Sequence, residues 1–131
     1  MSRVVLDANI LIATLIKSDA HHGVALAFIR RSLGVPDTLY IPQLTLAEVL
    51  VGQLRIDNGE QAQQTIRFLG IEVVTSDPVS ALELATLRAT TGLKLPDCVV
   101  LATAQHLDAT LATTDQALAR QAARLGVSLA L

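Results

Sequence analysis

Four acidic residues stand out because of their surroundings. Asp7 lies between Val4-Val5-Leu6 and Ala8-Asn9-Ile10-Leu11-Ile12, and Glu48 among Leu46, Ala47, Val49 and Leu50. Asp97 precedes Cys98-Val99-Val100-Leu101-Ala102, and Asp115 follows Leu111-Ala112-Thr113-Thr114. Segments this apolar are expected to be buried, so their acids are not all expected to be solvated. Buried carboxylates need compensating positive charge, and the nearby basic residues are few, Lys94 beside Asp97 being the clearest. Two carboxylates about 5 Å apart repel by roughly 3 kcal/mol at an effective dielectric of about 20. Four that converge must either take up protons or bind a divalent ion, and hard oxygen ligands suit Mg²⁺ or Mn²⁺. An ion held in this way lowers the pKa of a bound water and clamps a phosphate oxygen, which permits in-line attack on a phosphodiester without a side-chain nucleophile.

Convergence requires elements that carry the four acids to one place. Val4-Val5-Leu6, Leu39-Tyr40-Ile41, Ile71–Val74, Thr110-Leu111-Ala112 and Val127-Ser128-Leu129 read as five short strands. Helical patterns fill the intervals: Ala8–Ile16, His22–Leu33, about Thr45–Ile56, Glu60–Leu69, Asp77-Pro78 to about Thr90, Pro96-Asp97 to Leu107, and Asp115–Leu125. Strands alternating with helices predict an α/β fold with a parallel sheet covered on both faces. In such a sheet the strand C-terminal ends share one edge, and ligands bind there where the strand order reverses. Asp7 and Asp115 end or follow strands, while Glu48 and Asp97 lie early in helices that can approach the same edge. A plainer role competes, because all four sit at or near helix N-termini, where acids are favoured as caps. Thr45-Leu46-Ala47-Glu48 even has capping-box spacing. Asp77, before Pro78, reads as a cap and nothing more.

Composition narrows the field. The 131 residues form one domain, 1–131, without repeats, linkers or low-complexity segments. Ten Lys and Arg against twelve Asp and Glu give a net charge of −2, which excludes nucleic-acid binding by bulk charge alone. One cysteine, Cys98, excludes an internal disulfide and a cysteine-based zinc cluster. Aromatic residues are 2%, too few for a base-stacking platform. No uncharged stretch reaches the roughly 18 apolar residues of a membrane span, and no secretory signal is readable, so a cytoplasmic protein is expected. Mean hydropathy is +0.49, high for this size, and hints at a dimer or a dedicated partner.

The remaining polar residues have simpler readings. His21 and His22 are adjacent, so on a helix they point about 100° apart and do not chelate one ion. His106 near a helix C-terminus is assigned no function. Cys98 reads as a packed core thiol, and Arg30-Arg31 as a solvated helix face. Gly52, one turn after Glu48, suggests a close packing approach. Lys94 is the better phosphate contact because of its nearness to Asp97.

The segments Val4–Asn9, Thr45–Gly52, Leu95–Ala104 and Leu111–Asp115 resemble those of PIN-domain ribonucleases, and among them the VapC toxins of bacterial type II toxin–antitoxin pairs. The resemblance runs in order and spacing over nearly the whole chain. It implies a three-layer α/β/α sandwich with a five-stranded parallel sheet, and Mg²⁺- or Mn²⁺-dependent cleavage of RNA. Asp7, Glu48 and Asp97 match the family's core acids and Asp115 its more variable fourth, the four serving as catalytic residues and metal ligands. Asn9 matches the polar position after the first acid, and Thr114 the hydroxyl beside the fourth, both to orient carboxylates or water. A homodimer and a VapB-like antitoxin that inserts a segment into the site are also implied. Three other readings compete. A haloacid-dehalogenase-like phosphatase also uses an Asp after strand one, but needs a second acid where Asn9 stands. A phosphoacceptor receiver domain would need an acidic pair there. A non-catalytic PIN fold that binds RNA or a partner would not need the full acid set.

Overall fold

Short β-branched and apolar runs become strands here because both their faces are covered. The computed structural model describes residues 2–75 and 79–131. Strands β1 (Arg3–Leu6), β2 (Thr38–Pro42), β3 (Glu72–Val74) and β4 (Thr110–Ala112) form one parallel sheet in the order β3-β2-β1-β4. Residue alternation sorts the side chains to opposite faces. Val4, Leu6, Leu39 and Ile41 face a core shared with α1 (Ala8–Leu15), α2 (His22–Leu33), α3 (Gln43–Arg55) and α4 (Gly59–Phe68). Val5, Leu111 and the half-buried Tyr40 face a second core built on α6 (Leu95–His106) and α7 (Gln116–Arg124). Helix α5 (Ala81–Thr91) lies against α6 and contributes the partly buried Leu84 and Leu87 to that core. The layers are therefore helix, sheet, helix, as the alternating pattern predicts. No described helix is long and apolar enough to cross a membrane.

The fifth strand does not form among the described residues. Val127–Leu129 reaches the sheet through one parallel bridge, Leu111 to Leu129, with Leu111 N–H donating to Ser128 O (2.9 Å) and Ala130 N–H to Leu111 O (2.8 Å). The Val127 N–H is committed to Ala122 O (2.8 Å) at the end of α7, so the segment reaches β4 only from Ser128 onward.

Helix starts also differ from expectation. Helix α3 begins at Gln43, directly after Pro42, whose φ of −62° and ψ of 143° make it the N-cap residue. Thr45 and Glu48 therefore lie inside the helix, and the expected capping box between them is absent. Thr45 is 1% exposed and its Oγ1 has no hydrogen-bond partner among the described residues. Helix α5 starts at Ala81 with a capping box between Ser80 and Glu83, and the expected start at Asp77-Pro78 lies outside the described residues. Gly52 is not a close approach, because a Cβ there would meet nothing within 4 Å. The apolar character of α3 does not bury all of it: Val49 is in the core, but Leu44, Val51 and Leu54 are exposed. Cys98 is a buried core thiol, and burial pushes its pKa up.

Candidate functional site

The strand order reverses beside β1, with β4 on one side and β2 on the other, and Asp7 is the residue that leaves β1 there. Its backbone N–H donates to Ala112 O at 3.0 Å, which ties the end of β1 to the end of β4. Asp7 is 6% exposed and is the N-cap of α1. Its Oδ1 accepts from Ala8 N–H (2.8 Å), and its Oδ2 accepts from Asn9 Nδ2 (3.0 Å) and from Thr113 Oγ1 (2.7 Å). Thr113 Oγ1 in turn accepts from Asn9 Nδ2 (3.2 Å) and from Asp115 N–H (3.0 Å). The Asn9 amide is oriented by Thr114 N–H, which donates to its Oδ1 at 3.3 Å. The hydroxyl that reaches the first acid is thus that of Thr113. Thr114, the sequence expectation, enters through its backbone N–H.

The other acids sit differently. Asp115 is the N-cap of α7, its Oδ1 accepting from Ala117 N–H (2.8 Å) and Leu118 N–H (3.2 Å). Asp97 is half-buried in the first turn of α6, whose N-cap is Lys94 and whose first turn carries Pro96. Glu48 is exposed on α3. Apolar surroundings therefore bury Asp7 alone among the four. Two of the acids are caps, as the plainer reading holds, yet capping does not remove their charge from the site.

Electrostatics joins the four. Burial raises the pKa of Asp7, with Asp115 adding to it, against hydrogen bonds from Thr113, Ala8 and Asn9. Glu48, although exposed, is raised by partial desolvation of its carboxyl, then by Asp7 and Asp97. Asp97 is raised by burial, then by Asp7 and Asp115, with Lys94 acting in the opposite direction. Asp7, Glu48 and Asp97 thus share a field of like charge to which Asp115 contributes. The donors are all oxygen, hard ligands that fit Mg²⁺ or Mn²⁺. Among the described residues no three acidic, histidine or cysteine groups converge tightly enough to enclose an ion as they stand.

Residues 4–124 match the PIN domain family. The chain belongs to that family. This PIN domain has no match among the curated proteins compared with it. Solved structures similar to it include a toxin–antitoxin complex from Klebsiella pneumoniae, 27% identical, with 86% of each chain covered and a TM-score of 0.65. VapBC-1 from nontypeable Haemophilus influenzae is 20% identical over 97% of this chain and 96% of that one, with a TM-score of 0.70. FitAcB from Neisseria gonorrhoeae is 22% identical over 96% and 95%, with a TM-score of 0.67. At these identities the Haemophilus and Neisseria structures bear on fold. The PIN match also separates the chain from the phosphatase and receiver readings, which share with it only an Asp after the first strand of an α/β sheet.

Proposed function

We propose that this PIN domain is an endoribonuclease that hydrolyses RNA phosphodiester bonds with Mg²⁺ or Mn²⁺. One observation carries the reading: a buried carboxylate, Asp7, at the reversal of strand order, electrostatically coupled to Glu48, Asp97 and Asp115. These four residues would hold the ion. When bound, it supplies positive charge to a phosphate oxygen and makes a coordinated water more acidic. Asn9 and Thr113 keep the Asp7 carboxylate in one orientation, so no ordering is left to the moment of reaction. Lys94 is exposed beside Asp97 and would meet the RNA backbone. The family and the toxin–antitoxin complex it resembles support a toxin of the VapC type held in check by a VapB-like antitoxin; its place in the cytoplasm and its homodimeric state are part of the proposal.

The test is cleavage of a labelled structured RNA by purified protein with Mg²⁺, with Mn²⁺ and with EDTA, beside Asp97→Asn prepared identically. Metal-dependent cleavage that disappears in Asp97→Asn is the expected result. No cleavage together with no thermal response to either metal would overturn the reading in favour of a non-catalytic PIN fold.

A further inference from the structure

Pro42 and Val74, the last residues of β2 and β3, are register partners on the sheet face that carries Tyr40. In a parallel sheet they stand at the same edge as Asp7, which leaves the end of β1. They line a cavity of about 180 Å³. Its wall is Val99 and Thr103, one turn apart on α6, and its rim is Gln43 and Leu44, the first two residues of α3. The Thr103 hydroxyl donates to Val99 O (2.7 Å), so its proton is already spent. None of the described residues that line the cavity is charged. Leu44 is 52% exposed and stands one helical turn before Glu48, on the same face of α3. Val99 is two residues past Asp97 on α6. The two helices that carry these acids therefore both begin at the cavity, which lies beside the carboxylate edge.

We infer that this cavity is a base subsite, which takes one unstacked nucleobase of the RNA next to the scissile phosphate. Leu44 packs on the ring and the Gln43 amide reads its edge. This rests on the ribonuclease reading proposed above and deepens it. Pockets for whole ligands run to about 300–1,000 Å³, so this one has room for a single ring system and leaves sugar and phosphate outside. An uncharged lining does not suit a phosphate, whereas a base has apolar faces and a polar edge. Single-stranded RNA is read in this way, by bases splayed out of the stack, packed on side chains and hydrogen-bonded at their edges. A Gln amide offers two donors and an acceptor to such an edge. With its base seated here, the nucleotide leaves its phosphate toward Glu48 and Asp97.

The experiment maps a scissile bond in a labelled RNA cleaved by the intact protein. A short oligonucleotide spanning that bond is then made with each flanking base replaced in turn by an abasic residue. For the wild type, the abasic residue at one position next to the bond should lower kcat/KM by roughly 10–100-fold. In Leu44→Ala and in Gln43→Ala the same replacement should cost several-fold less, because a group that meets the base is gone. Both side chains are exposed, so both variants should fold, and circular dichroism checks this. A full abasic penalty in both folded variants would overturn the subsite, as would a wild type indifferent to either abasic residue. Those results, expected if the cavity takes a side chain of a partner protein instead, would leave the ribonuclease reading standing. Absence of metal-dependent cleavage by the wild type would overturn both.

Discussion

At the scale of single residues the proposed site holds three acids, Asp7, Glu48 and Asp97, whose charge is disfavoured by burial and then by neighbouring carboxylates. Asp97 shows the consequence most simply, because its raised pKa comes from burial and then from Asp7 and Asp115. A carboxyl whose pKa is raised by folding binds more protons in the native state than in the unfolded chain between its two pKa values. Its contribution to stability is therefore greatest at low pH and declines as pH rises from the ordinary carboxylate range through the raised value. Asn at this position cannot ionise. The stability of the wild type relative to Asp97→Asn, measured by urea denaturation without metal, should fall as pH rises from about 4 to neutrality. Excess Mg²⁺ should remove that decline by supplying the missing charge. A difference that stays flat with pH would mean that the four acids do not share a field. Glu83 shows the opposite sign: its hydrogen bond with His106 (2.6 Å) holds its pKa down, so its contribution is lost as pH falls.

At the scale of elements, the carboxylates have two roles that can be separated. Asp115 caps α7 with one oxygen, accepting from Ala117 and Leu118 N–H, while its charge raises Asp7 and Asp97. Asn caps a helix about as well as Asp, and Ala does not. Asp115→Asn should therefore keep the stability of the protein within about 0.5 kcal/mol, while Asp115→Ala should lose about 1 kcal/mol, both read from denaturant midpoints. If both variants also cleave RNA poorly, the charge and not the cap serves the reaction. Equal and full activity in both would remove Asp115 from the site. The same separation explains why the start of α3 was not readable. Thr45 and Glu48 have the right spacing for a capping box, but Pro42 allows the helix to begin two residues before Thr45 and carries the box positions into its interior.

At the scale of the whole molecule, the site depends on two cores that clamp the sheet. Leu101 is fully buried in the second core, one helical turn after Asp97 on α6. Leu101→Ala should cost roughly 2–5 kcal/mol in urea denaturation, from lost burial and the cavity left behind. Leu82, 77% exposed on the outer face of α5, should change stability by no more than about 0.5 kcal/mol when cut to Ala. Comparable losses at the two positions would mean that α6 is not the element that fixes the carboxylate edge.

Much of this architecture was legible in the residues alone. Short apolar, β-branched runs mark four of the strands, and helical patterns with their caps and stops mark the seven helices among the described residues. Asp7, Glu48, Asp97 and Asp115 were visible because acids are costly next to such patterns. Pairing across the sheet was not visible. The end of β4 meets the end of β1 through a register in which Leu6 stands beside Ala112. That register brings Thr113, and not Thr114, to the Asp7 carboxylate. Two adjacent threonines are equivalent in sequence, and only their alternate directions on leaving a strand tell them apart. The same holds for Val127–Leu129, apolar enough for a strand yet left with one bridge, because the Val127 N–H is spent on Ala122 O at the end of α7. Local patterning thus determined the kinds of element and the chemistry that they carry. Long-range pairing, which depends on contacts about a hundred residues apart such as Thr113 to Asp7, decided which hydroxyl holds the first acid.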